Sequence, residues 1–255
     1  MGTGNHKDRR PKMANYTVHP IAVCRGPRDG SHFTYRANFG ITINTACYAW
    51  YINGSSQKIL VDTGATAAMF RERGAAEEDL ISMTDGLAKL GITPEEIDLV
   101  ILTHLHCDHI ELAHLYKKAK FIVQKKELDY AHHPHPIDAD FYIRNFFEGL
   151  NYDIIDGDKK IEPGLTVFLS PGHSPGGQSI EVKTASGQVV IPGFCCTGDT
   201  FRQTEDMKRR GWQVTIPLIH QDTREIYDSV IKIKKRADII LSLHGPEYIG
   251  VGKVG

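Results

Sequence analysis

The chain has 255 residues, 41% of them hydrophobic and 24% charged, which is long and apolar enough to bury a sizeable core without disulfide or metal staples. Its 30 Lys and Arg nearly balance its 31 Asp and Glu, so no field favours nucleic acid or an anionic membrane surface as a partner. Five irregularly spaced cysteines (Cys24, Cys47, Cys107, Cys195 and Cys196) argue against a disulfide framework and for a reducing compartment.

Residues 1–15 are polar, with no apolar run behind them, and no stretch of the chain approaches a membrane span. The expectation is a disordered segment over 1–15, a single domain over 16–255, and a cytoplasmic protein. Residues 16–24 and 38–54 run β-branched and aromatic and break at Asn53-Gly54, so they predict strands and a hairpin. "SQKILVDTGA" predicts a strand ending in Asp62-Thr63-Gly64, and a helix is expected over 81–90. Thr93, Pro94, Glu95 and Glu96 carry the start signals of a helical turn. "DLVILT" is short and wholly apolar, which predicts a buried strand. "ELAHLYKKA" predicts a helix, and "KFIVQKKEL" a strand running into a helix start. Residues 132–147 hold two prolines and three histidines (His132, His133 and His135), a composition that fits a loop or lid over a site. Strand, Gly/Pro loop and strand follow over 159–184, then a strand at "GQVVI" and a helix over 222–237 with Ile226, Val230 and Ile233 on one face. "DIILSL" predicts a last buried strand, with His244 in the loop beyond it.

The chemistry gathers at the ends of these strands. His104, His106, Asp108 and His109 follow the pattern H-x-H-x-D-H immediately after "DLVILT". Alternate residues leaving a strand project to one side, so His104 and His106 can converge on one ion. The chain then turns, and Asp108 with His109 can face a second position. Neutral imidazole and carboxylate suit zinc and similar borderline ions. Burying so many polar groups without a partner would be costly, which sets this cluster apart from an isolated surface histidine. His173 lies in "SPGHSPGG", Asp199 in "CTGDT" and His244 in "SLHGPE", each after a predicted strand. A carboxylate such as Asp199 can bridge two ions. Three further residues are candidates for touching substrate. Phe201 and Arg202 follow Asp199, Arg202 offering a fork for a carboxylate, and His220 precedes the helix that leads to His244. Cys195 and Cys196 are expected as small apolar residues on a buried strand, and Cys107 as a bystander pointing away from its metal-type neighbours.

In five motifs, "VDTG" (61–64), "THLHCDH" (103–109), "SPGHSPGGQSI" (170–180), "TGDT" (197–200) and "LHGPE" (243–247), the chain resembles the metallo-β-lactamase-fold hydrolases. The motifs occur in that family's order and cover residues 16–251. The resemblance implies an α/β fold, a four-layer αββα sandwich with a two-metal site at one edge. It implies His104, His106 and His173 on one metal, Asp108, His109 and His244 on the other, Asp199 bridging, and Asp62 supporting the site from behind. Two zinc ions, or another divalent metal such as Mn, Fe or Co, would lower the pKa of a shared water towards ~7 for attack on a carbonyl, with Asp108 shuttling a proton. Within the family the chain looks most like the lactonase branch, including the acyl-homoserine and pyridoxolactone type. These enzymes carry a Tyr a few residues after the bridging Asp, where this chain has Phe201 and Arg202. A small-molecule lactone is therefore the expected substrate, with a cyclic amide or a glyoxalase II-type thioester as the alternative, and a homodimer compatible with the resemblance.

Overall fold

The computed structural model describes residues 16–255, so the expected disordered segment 1–15 lies outside the described residues. Seven strands form the first sheet: β1 (Thr17–Asp29), β2 (Thr42–Asn53), β3 (Ile59–Val61), β4 (Glu78–Asp79), β5 (Leu99–Ile101), β6 (Lys120–Gln124) and β7 (Tyr152–Ile155), in the order β4-β1-β2-β3-β5-β6-β7. Five form the second: β8 (Lys159–Glu162), β9 (Leu165–Leu169), β10 (Gln178–Thr184), β11 (Gly187–Ile191) and β12 (Ile239–Ile240), in the order β12-β11-β10-β9-β8.

The period-2 alternation of strand side chains builds the layers. In β2, Tyr48, Trp50 and Ile52 face the apolar layer shared with the second sheet, beside Val61, Ile101, Val167, Ile180 and Val182. Ala49 and Tyr51 face the opposite way, onto Met83, Leu87, Val100 and Phe121. Fully burying an aliphatic side chain such as Ile52 or Ile101 contributes roughly 1.5–3 kcal/mol. Helix Thr223–Arg236 lays Ile226, Val230 and Ile233 against the second sheet, as the sequence predicted. Asp222 caps it by accepting from the Arg224 and Glu225 N–H groups. The result is the expected arrangement of two packed sheets with helices outside.

The differences from expectation are local. The helix expected over 81–90 is only Met83–Ala88, started by the Ser82 cap. "ELAHLYKKA" forms a 3-10 turn, Glu111–Leu115, rather than an α-helix, because Tyr116 leaves the helical region and the chain drops into β6. The last strand keeps just two paired residues, Ile239 and Ile240. Among the described residues no helix is long and apolar enough to cross a membrane.

Candidate metal centre

β3 and β5 run parallel and in register, with Val61 opposite Ile101, so the loops after both strands emerge at the same edge of the sheet. Asp62 leaves β3 with a left-handed φ of 55°, which turns its side chain under the loop that follows β5. It is fully buried. Its Oδ1 accepts from the Thr103 backbone N–H at 2.7 Å, and its Oδ2 accepts from the Thr103 hydroxyl at 2.8 Å and from His109 Nδ1 at 2.8 Å. Having given its proton to Asp62, the Thr103 oxygen accepts from His104 Nδ1 at 3.0 Å. One carboxylate thus orients two imidazoles. This is the support from behind the site that the family resemblance implied for Asp62.

The other loops are held as tightly. Glu127, wholly buried just after β6, accepts from the N–H groups of Leu105 and Gly176 and from the Tyr142 hydroxyl. It therefore ties the His104–His106 loop to the loop that carries His173. Gly176 must be glycine for this, since a Cβ there would meet the Glu127 backbone nitrogen at 2.4 Å. Gly172, at φ +114°, similarly lies against the backbone of Ile226. Sequence reasoning read these glycines correctly as bends but missed Glu127, which carries no motif.

Two groups of donors result. His104, His106 and His173 bring one ligand atom each within 4.8 Å of one another, and so do Asp108, His109 and His244. The groups are adjacent, with the His104 and His109 ring centroids 4.2 Å apart. Four of the five histidines have Nδ1 engaged from behind: His104 and His109 as above, His173 donating to the Ile219 carbonyl at 2.7 Å, and His244 to the Ala46 carbonyl at 3.2 Å. In the neutral ring this tautomer leaves the Nε2 lone pair free. Nε2 of His104 and Nε2 of His173 then stand 3.2 Å apart. Two lone pairs that close need a shared proton or a cation, so the donor set fits a metal ion. Among the described residues His106 has no such polar partner; it is set by packing, stacked on Phe141 at 4.8 Å with Tyr142 edge-on at 5.0 Å.

Electrostatics divide the groups. Burial, reinforced by the charges of neighbouring histidines, pushes His104 and His106 well below the usual histidine range. Burial also lowers His173 and His244 to about 4. His109 goes the other way. Burial opposes its charge, but Asp108 and Asp62 raise it to about 9. Asp108 is pushed up by burial, yet His109, His244 and His106 hold its carboxyl well below the ordinary carboxylate range. The first group is thus three neutral donors, and the second sets the Asp108 carboxylate and the neutral His244 around a His109 that keeps a proton at neutral pH until a cation displaces it.

A cleft of about 590 Å³ opens beside this centre, with Asp108 and His244 in its lining. Several expectations change here. Asp199 stands outside both donor groups, and Arg202, one 3-10 turn later, donates from Nη1 to its Oδ1 at 2.9 Å. Arg202 is correspondingly an exposed partner of Asp199, and it does not line the cleft. Phe201 is not a cleft residue either; it is buried in the intersheet core, with its ring 6.1 Å from Phe194. His220 has both ring nitrogens engaged locally, by the Pro217 carbonyl and the Thr223 hydroxyl, and packs edge-on to Tyr35. His132, His133 and His135 are absent from the cleft lining; from that segment Phe141 supplies the wall. Cys107 sits with Cys24, Cys47, Ala65, Ala67 and Met69 in a small apolar cluster, and burial pushes its thiol up to about 12.

The pattern described as the metallo-beta-lactamase superfamily matches residues 43–242. The chain is 30% identical over 168 residues to the N-acyl homoserine lactonase AiiA of Bacillus thuringiensis subsp. kurstaki, a match covering 60% of this chain and 64% of that relative. It is 31% identical over 150 residues to the N-acyl homoserine lactonase AttM of Rhizobium radiobacter, covering 49% of this chain and 57% of that one. Among solved structures it resembles an N-acyl homoserine lactone hydrolase with the product N-hexanoyl-L-homoserine bound at its catalytic metal centre. The TM-score is 0.74 at 25% identity, over 93% of this chain and 96% of that one. A quorum-quenching N-acyl homoserine lactone lactonase gives a TM-score of 0.73 at 26% identity, over 92% and 94% of the two chains. With its two-sheet architecture and with 200 of its residues inside the matched pattern, the chain belongs to the metallo-β-lactamase superfamily.

Proposed function

We propose that the chain is a dinuclear metal-dependent hydrolase that opens the ring of a lactone. The observation that carries this reading is the pair of adjacent three-donor groups, with Asp108 and His244 reaching the lining of one cleft. His104, His106 and His173 would hold one ion, and Asp108, His109 and His244 the other. Asp199 would be shared between them, as the family resemblance implies. Its exposed pair with Arg202 contributes about 1 kcal/mol or less, so a cation can displace it. Imidazole and carboxylate donors suit zinc, with Mn, Fe and Co as the other divalent candidates. Bound there, the ions would supply Lewis-acid polarisation of the ring carbonyl and lower the pKa of water at the site.

The chain's own residues supply position and protons. Asp62 keeps the proton on Nδ1 of His109 and so keeps Nε2 available. Thr103 does the same for His104. Asp108, ionised at neutral pH, can take a proton only briefly at a carboxylate oxygen and pass it to the departing ring oxygen. Phe33, Phe141 and Ile219 give the cleft apolar walls that exclude water from the bound ring.

The relatives are N-acyl homoserine lactonases, which makes N-acyl homoserine lactones the first substrates to try. The test is a pH-stat assay of the zinc-loaded protein on N-hexanoyl-L-homoserine lactone, γ-butyrolactone, a thioester, a β-lactam and a phosphodiester. Acid release from the lactones, abolished by a chelator and by His106→Ala, is the expected result. Turnover of the thioester or phosphodiester alone, or lactone opening indifferent to the chelator, would refute the reading.

A further inference from the structure

The cleft that Asp108 and His244 line also carries charge that the proposed ring-opening chemistry does not use. Three arginines line it: Arg25 and Arg28 from β1, and Arg73 at the end of helix Ala67–Glu72. The first two are neutralised. Arg25 is paired with Glu78, and Arg28 with the buried carboxylate of Glu77 while its guanidinium also lies over the Phe70 ring. Arg73 differs. Among the described residues no carboxylate pairs with it, and its one side-chain hydrogen bond runs from Nη2 to the backbone carbonyl of Asp140 at 2.6 Å. That bond fixes the guanidinium beside Phe141, the residue stacked on His106, and leaves the remaining N–H donors of the fork unused.

A guanidinium anchored at one nitrogen, free at the others and set among Phe70, Phe141 and Cys107 is arranged to receive a planar anion in two-point fashion. Arg73 is exposed at the cleft, so a carboxylate can reach its free N–H groups from solvent and the contact is screened by salt. A neutral hexanoyl chain, as in the product held by the solved relative, would leave that charge unanswered.

We propose that Arg73 is a specificity-determining residue and that the preferred substrate is a lactone carrying a carboxylate on the arm remote from the ring. This rests on the lactonase reading above and names the substrate class for it. Arg73 acts in binding: its free N–H groups grip the substrate carboxylate while the ring carbonyl lies towards Asp108 and His244.

The test compares N-succinyl-, N-glutaryl- and N-adipoyl-L-homoserine lactones, each with a free terminal carboxylate, against the same compounds capped as terminal primary amides. The acid of the best-fitting length should exceed its amide in kcat/KM by about tenfold or more, the difference lying in KM and shrinking as salt is raised. In Arg73→Gln the acid-to-amide ratio should fall towards one, and in Arg73→Lys it should be partly restored. A ratio near one in the unaltered enzyme at all three lengths, or a ratio that Arg73→Gln leaves intact, would overturn the proposal. A second arm reads binding without turnover: the ring-opened N-acyl homoserines, as acid and amide, are titrated into the zinc-loaded protein by calorimetry. Should no lactone be opened at all, the function reading fails, and this arm still decides the role of Arg73. Tighter binding of the acid that is lost in Arg73→Gln supports it, and equal affinities refute it.

Discussion

Asp62→Asn is the sharpest probe of how the site is assembled. Asparagine has the same shape and tolerates the left-handed φ of 55° that Asp62 adopts, so the turn after β3 should survive. What changes is one oxygen. An amide carbonyl in the place of Oδ1 can still accept from the Thr103 N–H, which puts the NH2 group where Oδ2 now accepts from Thr103 Oγ1 and His109 Nδ1. Donor then faces donor at His109. The ring can relieve this by moving its proton to Nε2, the atom that belongs to the second donor group, or by swinging away. Either response removes a ligand. Loss of a partner behind a metal-binding histidine typically costs 10–100-fold in metal affinity, about 1.4–2.7 kcal/mol. Because Thr103 also relays Asp62 to His104, a smaller loss is expected at the first group. Competition against a chromophoric chelator should show the second equivalent of zinc weakened by that factor and the first by less. Both equivalents binding within twofold of the unaltered protein would refute the argument that Asp62 sets the tautomer.

Other expectations can be checked alongside. His106→Ala and His244→Ala should each lose one equivalent of metal by elemental analysis while far-ultraviolet circular dichroism is retained; two equivalents persisting in both would break the assignment into two groups. The chelated protein should show a stability maximum near pH 6.5. Below it, His173 and His244, lowered to about 4 by burial, take protons more readily when unfolded, so stability rises between pH 4 and 6.5. Above it, His109, held at about 9 against burial by Asp108 and Asp62, keeps in the folded state a proton that the unfolded chain releases, so stability falls towards pH 9. A melting temperature that climbs steadily from pH 6.5 to 9 would contradict this. Phe201→Ala should lower stability by about 3–5 kcal/mol in urea titration, because the ring is core and not cleft, and a large rise in KM with stability unchanged would restore it as a substrate contact.

What the amino-acid order determined by itself is local. The four donors within six residues, the apolar "DLVILT" before them and the Gly/Pro bends around His173 are short-range features, and strand geometry alone separates His104 and His106 from Asp108 and His109. The sandwich could be anticipated because the motifs and the strand-like runs are themselves written in consecutive residues. The residues hardest to place from sequence are those whose surroundings depend on which way one side chain turns. Phe201 goes into the core, Arg202 folds back on Asp199 one helical turn away, and His220 spends both nitrogens on its own loop. Tertiary structure alone decided that Glu127 would tie two histidine loops together, that Asp62, placed behind the site by the resemblance, would act through Thr103 and through His109, 47 residues ahead, and that Arg73 would line the cleft with no carboxylate partner among the described residues. Hydrogen bonds and cleft walls of that kind join strands far apart in the chain. Their energy depends on distances that only the packed sheets establish, so no spacing in the sequence records them.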